Sequence, residues 1–393
     1  MSGGPLEGLR VLDLTRLLPG GYATCLLADL GADVVKVEEP GRGDYIRWMP
    51  PMAGGVSANH VALNRNKRSV TLNLKTAEGR DVFKELVPSF DVVVESFRPG
   101  VMDRLGIGWG ELSRMHPGLV YCAITGYGQD GPRAAAAGHD IDYAAYSGVL
   151  GMTGEAGGPP VVPGVQTGDL GGGGMAAVIA ILAALRKRDA TGEGDFCDVS
   201  MTDGLVSWLS IHAASYFATG EVPQRGAMHL SGAHPCYRVY PAADGWLALG
   251  ALEPQFWATL CAAIDRPDLA DDGFAMGERR DEVIAELEEL FSSRTRAAWM
   301  EHFGDADVCV APVNDLAETF VDEQVLHRGM VVDGSLPDGT EWRHVGTPVR
   351  LARAPGDVLR RPPPELGEHT DEVLGGAGIS RERLAELRAA GAL

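Results

Sequence analysis

The chain has 393 residues, 45% of them hydrophobic and 22% charged. That is a globular balance, in a chain longer than the roughly 250–300 residues that one core carries, so two domains are expected. Its 34 Lys and Arg face 54 Asp and Glu, a net charge of −20; a surface this acidic excludes nucleic acid and anionic membrane as main partners and obliges an anionic ligand to find a local basic patch.

Leu9–Leu14 (LRVLDL) predicts a strand, Gly20–Leu30 a helix closed by Gly31, and Asp33–Glu38 (DVVKVE) a second strand. Asp91–Glu95 and Leu119–Ile124 predict two more strands, with helices such as Ala77–Leu86 between them. This alternation points to an α/β fold with a doubly wound parallel sheet covered on both faces. Gly148–Gly174, rich in Gly and Pro, reads as loop. Helices follow over Gly172–Arg188 and Thr202–Thr219, and Gly220–Ser231 reads as a linker. From Tyr237 two short strands (YRVY, WLALG) and an acidic helix near Asp281–Ser292 mark a smaller α+β domain, placed at 226–318. Residues 1–225 then form the first part of a large domain, and 319–393 return to it through Pro-rich Ala354–Pro364 and a helix near Ser380–Ala389. The six cysteines, Cys25, Cys122, Cys197, Cys236, Cys261 and Cys309, form no CxxC and read as reduced thiols. The start lacks the basic and apolar regions of a secretory signal, and the longest apolar run, Met175–Leu185, falls short of the about 20 residues that span a bilayer. A cytoplasmic protein is expected.

Four features carry chemistry. Gly168-Asp169-Leu170-Gly171-Gly172-Gly173-Gly174 ends a loop and opens a helix. Asp169 is there either a reactive carboxylate, with the glycines letting another group approach the backbone, or simply a helix cap, with the glycines permitting tight packing. His139 in Gly138-His139-Asp140-Ile141-Asp142-Tyr143 is a general-base candidate or a structural histidine. Glu253, before Pro254, is a candidate acid or the residue ahead of a proline-started helix. The basic segment Asn64-Arg65-Asn66-Lys67-Arg68, with Lys75, Arg98 and Arg104, is a phosphate site or a solvated face. GxxxxGK[ST], GxGxxG, GxSxG and zinc-ligand spacings are absent, so no metal is expected.

Together with PLEGLRVLDL, LLADLGADVVKVEEP, NRNKRSVTLNLK, ESFRPGVMDRLG, TGYGQDGPRAAAAGHDIDY and LGEHTDEVL, these segments resemble the class III coenzyme A transferase family over nearly the whole chain. Within it they look like the 2-methylacyl-CoA racemase branch. The resemblance implies a Rossmann-like large domain joined by long linkers to a small one, in an interlocked homodimer. It implies contacts to the coenzyme from Leu72, Asn73, Leu74, Lys75, Ser96, Phe97, Arg98, Arg104, Gly138, Asp140, Ile141, Asp142 and Tyr143, with no cofactor beyond the CoA moiety of an acyl-CoA substrate. For a racemase it implies that His139, supported by Glu253, and Asp169 move the proton beside the thioester carbonyl on opposite faces, through an enolate held by backbone N–H donors near His139-Asp140 and after Asp169. The alternative is a class III CoA transferase with Asp169 as nucleophile. The absence of a glycine run in His229–Cys236 (HLSGAHPC) favours the racemase in that comparison. One departure stands out: Glu39 occupies a place where racemases often carry Arg. Coenzyme binding is then expected to lean on Arg65, Lys67 or Arg68, or the adenine end sits differently.

Overall fold

The computed structural model describes residues 4–336, 338–352 and 358–393. Met1–Gly3 of the opening segment and residues 354–357 of the Pro-rich stretch lie outside them. The chain divides into two compact units: 1–148, 164–209 and 324–393 form the first, and 149–163 with 210–323 form the second.

The first unit is built on six parallel strands: β1 (Arg10–Asp13), β2 (Asp33–Glu38), β3 (Arg68–Thr71), β4 (Val92–Glu95), β5 (Val120–Thr125) and β6 (Asp195–Ser200). Their order across the sheet is β3-β2-β1-β4-β5-β6, with Val11 of β1 between Val34 of β2 and Val92 of β4. This is the doubly wound order, which reverses direction between β1 and β4. Valine runs suit these strands because helices cover both faces, and Val11, Val34, Val35, Val92, Val93 and Val94 are fully buried. One side of the sheet packs Leu12, Val35, Val93 and Tyr121 against Val82 and Phe83 of the helix Ala77–Leu86 and Leu384 and Leu387 of Arg381–Ala389. The parallel α/β expectation holds. Two strands escaped the sequence reading, β3 and β6, and both are sheet edges. Edge strands tolerate polar residues, so RSVT and DFCDVS show no apolar run.

Helix α1 (Leu17–Asp29) follows β1. The stretch expected as loop, Gly148–Gly174, holds a short helix at Val149–Met152 and turns helical again at Gly168: Gly168–Met175 is a π-helical segment that continues into α2 (Ala176–Thr191), ended by Gly192 at φ +79°. Gly168–Thr191 thus spans 24 residues and is long and apolar enough to cross a membrane by length and composition, unlike the shorter run expected; 44% of its most apolar window is buried inside the protein. The single helix expected over Thr202–Thr219 is two, α3 (Met201–Trp208) and α4 (Ser210–Thr219).

The second unit pairs Tyr237–Ala242, Gly245–Gly250 and Val310–Pro312 in an antiparallel sheet. Its core is aromatic: Tyr240, Phe291 and Trp299 are almost fully buried. The Trp299 indole N–H donates to the Phe291 carbonyl at 2.8 Å, so the ring enters the core with its polar atom satisfied.

Candidate functional site

Open α/β sheets bind ligands beyond the carboxyl ends of their strands, at the point where strand order reverses. A crevice of about 300 Å³ lies there in the first unit. Its walls follow the ends of four strands: Leu14–Arg16 after β1, Val37–Glu39 closing β2, Leu72–Lys75 after β3, and Phe97, Val101 and Leu105 after β4. Five of the expected coenzyme contacts, Leu72, Asn73, Leu74, Lys75 and Phe97, therefore line one cavity. The Ser96 hydroxyl accepts from the Arg16 N–H at 3.0 Å, and the Arg16 guanidinium stands 5.2 Å from the centre of the Phe97 ring. Arg98 and Arg104 are exposed and, like Ser96, are not among the residues that line the crevice. Arg16 escaped the sequence reading; the available signal was its place directly after the first strand of a doubly wound sheet.

No glycine fingerprint connects β1 to α1, and the helix start is already occupied. The Leu17 N–H donates to the Asp44 carboxylate at 3.3–3.4 Å, with Leu17 at φ +60°. A carboxylate of the chain itself takes the place where a dinucleotide pyrophosphate would sit.

The basic segment is a correction to expectation. Arg65, Lys67 and Arg68 are buried and committed inside the protein. Arg65 grips Asp29 with two nitrogens at 3.0 and 2.6 Å. Lys67, without exposure, donates to Asp13 at 3.1 Å, Thr24 at 2.7 Å and Asn64 at 3.0 Å. Arg68 bridges Asp33 and Glu372. These three cannot be the cations that replace the missing arginine at Glu39. Glu39 itself pairs with Lys75 at 2.6 Å, and both line the crevice.

Asp169 sits in the first turn of the π-helical segment. Its backbone N–H donates to Asp140 Oδ1 at 2.9 Å. Its carboxyl is largely buried: burial, then the neighbouring Asp140 charge, raises its pKa to about 6, and His139 opposes them. Its side chain does not hold the cap position, which falls to Thr167 and carries no side-chain cap bond. Two residues earlier, the Thr167 hydroxyl is buried without a partner. The glycines serve packing: a Cβ on Gly171 would lie 2.2 Å from Trp208, on Gly172 2.5 Å from the Met201 carbonyl, and on Gly174 2.8 Å from Tyr22. What approaches this backbone is the protein's own α1 and α3.

His139 precedes the helix Asp140–Ser147 and is exposed, and its N–H donates to Asp142 at 2.9 Å. The His139 N–H, one of the backbone donors expected to hold an enolate, is thereby committed to a carboxylate. The Tyr143 hydroxyl donates to the Gly138 carbonyl at 2.6 Å, closing the loop before the helix. Gly138, His139, Asp140, Ile141 and Asp142 thus belong to the surroundings of Asp169, not to the lining of the crevice. Glu253 lies in the second unit, where it starts the helix Pro254–Ala263 with Pro254 at the first position; its side chain is exposed and makes no cap bond.

The sequence matches CoA-transferase family III over residues 6–370. It is 38% identical over 377 residues to the human succinyl-CoA:glutarate CoA-transferase, covering 94% of this chain and 85% of that one. It is 37% identical over 398 residues to the succinyl-CoA:mesaconate CoA-transferase of Haloarcula hispanica, covering 96% and 97%. A CAIB/BAIF family protein from Brucella suis, known by crystal structure, superposes with a TM-score of 0.83 at 34% identity, over 95% of this chain and all of that one. The human and Haloarcula relatives are named CoA-transferases, which overturns the expected racemase, an isomerase. His139, Glu253 and the glycine-poor His229–Cys236 stretch were the grounds for that expectation. His139 stands beside a carboxylate without activating it by hydrogen bond, and Glu253 starts a helix, so neither residue type marks proton transfer by its presence.

Proposed function

Because the chain belongs to CoA-transferase family III, we propose that it moves coenzyme A from an acyl-CoA donor to a free carboxylate, with Asp169 as the covalent nucleophile. The observation that carries this is the state of Asp169: a largely buried carboxylate, on the first turn of a helix, beside a second carboxylate, with its pKa raised to about 6. At neutral pH it is ionised yet poorly stabilised, which suits a nucleophile. Its carboxylate oxygen attacks the donor thioester carbonyl and the C–S bond breaks. This leaves a mixed anhydride on Asp169 and a CoA thiolate. The thiolate attacks the Asp169 carbonyl, releases the donor acid and forms an enzyme thioester. The acceptor carboxylate then repeats both steps in reverse and leaves as its CoA ester, restoring Asp169. The partnerless Thr167 hydroxyl is a donor available to the oxyanion that forms at each attack.

The crevice at the carboxyl ends of the strands takes the nucleotide end of the coenzyme, against Leu72 and Phe97, with Arg16, Lys75, Arg98 and Arg104 supplying positive charge. Succinyl-CoA is the donor in the names of both relatives above, and glutarate and mesaconate the acceptors; dicarboxylates are accordingly the first acids to test. No cofactor beyond the CoA moiety enters this chemistry. The working form is a cytoplasmic homodimer: the long helix leaves Met175 and Ile179 46% and 68% exposed, an apolar face that a second copy covers in place of lipid. Light scattering on the purified protein tests the dimer. The decisive experiment on the chemistry incubates the protein with succinyl-CoA, traps with hydroxylamine or borohydride, and maps the adduct by mass spectrometry. Modification of Asp169 is expected, and an unmodified Asp169 in an enzyme that turns over removes the nucleophile assignment.

A further inference from the structure

A second cavity of the first unit lies at the opposite end of β2 and β3. It has a volume of about 480 Å³ and is lined by Asp33, Asn66, Arg68, Arg360 and Arg361, among others. Asp33 opens β2 and Arg68 opens β3, whereas the coenzyme crevice reaches Glu38 and Leu72 at their far ends. At about 3.3 Å per residue the two cavities stand roughly 17 Å apart along the strands.

The second cavity is built around Asn66, which holds the left-handed conformation at φ +64°. Its side-chain oxygen accepts from the N–H groups of Arg360 and Arg361 at 2.6 and 3.1 Å. Its own N–H donates to the Arg361 carbonyl at 3.1 Å, and its side-chain amide donates to the Val358 carbonyl at 2.6 Å. The backbone of two successive arginines is thereby fixed.

The local charges do not cancel. Arg68 is matched by Asp33 and Glu372, and Arg65 is matched by Asp29. Among the described residues the Arg360 guanidinium donates to the Ala28 carbonyl and forms no ion pair, and Arg361 forms none either. Partial burial lowers the Arg360 pKa and Arg361 adds repulsion, while Asp29 and Asp33 offset this only in part. Two exposed guanidinium groups side by side, neither in an ion pair among the described residues, form a local excess of positive charge in a chain of net charge −20.

We propose that this cavity binds a small polyanion bearing phosphate groups, at a site separate from the coenzyme crevice. Guanidinium forks match phosphate oxygens two at a time, and two forks on one rigid segment suit a diphosphate. The site stands whether or not Asp169 is the nucleophile.

The test is calorimetric titration of the full chain with inorganic pyrophosphate, in the presence of saturating CoA so that the crevice is filled. One equivalent should bind. Arg361→Ala should weaken binding at least about 10-fold, the effect of losing one charged bidentate contact, while Lys75→Ala leaves it unchanged. Arg361 is held to Asn66 through its backbone, so the alanine variant keeps the clamp, and an unaltered circular dichroism spectrum checks this. Competition by ADP would identify a nucleotide diphosphate as the source; its failure to compete would identify the free anion. Absence of binding, displacement by CoA, or an unchanged Kd in Arg361→Ala would each overturn the site.

Discussion

Asp13 and Asp169 are carboxylates of the same unit that the fold treats in opposite ways. Asp13 ends β1 with no exposure, and burial alone would raise its pKa; the Lys36 and Lys67 ammonium groups and the Thr15 and Thr24 hydroxyls outweigh burial and hold it at about 2. Asp169 is less deeply buried, but its nearest strong influence is another carboxylate, Asp140, and it rises to about 6. Burial by itself therefore does not tell a structural acid from a reactive one. The sign of the nearest charge does.

The sharpest way to break that comparison is to neutralise each side. Asp169→Asn keeps the shape and removes the nucleophile, so CoA transfer should fall by on the order of 10³-fold or more, measured as exchange between succinyl-CoA and labelled succinate. The same variant should be no less stable, and slightly more stable at high pH. The folded pKa is raised from 3.8 to about 6, so the contribution of this group to stability is full below the unfolded value and is lost as pH rises through about 6. Asparagine avoids that loss. Partial exposure reduces the full linkage value to about 1–2 kcal/mol gained at pH 8, read from urea midpoints at pH 8 and pH 4, where the gain vanishes.

Lys67→Ala is the converse. It leaves Asp13 buried with one ammonium instead of two, and should cost about 3–5 kcal/mol by urea unfolding. The wild-type protein should lose stability as pH falls from about 4 towards 2, because Asp13 and Glu38 are both held at about 2 in the fold against 3.8 and 4.5 unperturbed. A flat stability curve over that range would show that the buried ion pairs contribute nothing. Activity should follow the other carboxylate: kcat/KM should rise through pH of about 6 as Asp169 ionises. Asp140→Asn should move that limb to lower pH and His139→Ala to higher pH, since Asp140 raises the Asp169 pKa and His139 lowers it.

Much of this was legible in the sequence, and the rest was obscured for physical reasons. DVVKVE and the strand ending at Glu95 announced themselves because central parallel strands must be apolar on both faces. Asp169 and the crevice residues Leu72–Lys75 were recognisable as motifs. The basic segment was misread because a sequence displays charges but not their partners: Arg65, Lys67 and Arg68 are answered by Asp29, Asp13 and Asp33, which lie 36, 54 and 35 residues away. The choice between transferase and racemase was misread for a related reason. His139 and Glu253 are present, and presence says nothing of hydrogen bonds or of neighbours. Of the two readings of the glycine run, close approach by another group or tight packing, only folding decides: its neighbours are Trp208, Met201 and Tyr22, of which Trp208 and Met201 follow it by about thirty residues and Tyr22 precedes it by about 150.

The smallest effect tests the one cation of the crevice that is already spoken for. Lys75 lies on the wall expected to meet the coenzyme, yet its ammonium pairs with Glu39 at 2.6 Å, with the lysine side chain 75% exposed. An exposed pair of this kind is worth about 0–1 kcal/mol, because water screens both charges and the long side chain loses freedom. The pair is therefore weak enough to open when a phosphate arrives, and Glu39 acts chiefly as a competitor for Lys75 and a nearby negative charge. Glu39→Gln removes the competition without changing the shape. KM for acyl-CoA should fall about 2–5-fold with kcat unchanged, as expected for a contact made equally in the ground and transition states. The advantage should shrink as salt is raised from 20 to about 500 mM, since the attraction it releases is long-ranged and screened. Lys75→Ala in the same background should abolish it. If Glu39→Gln instead raises KM, Glu39 positions Lys75 rather than competing for it, and the glutamate at this place is part of how the crevice binds its ligand.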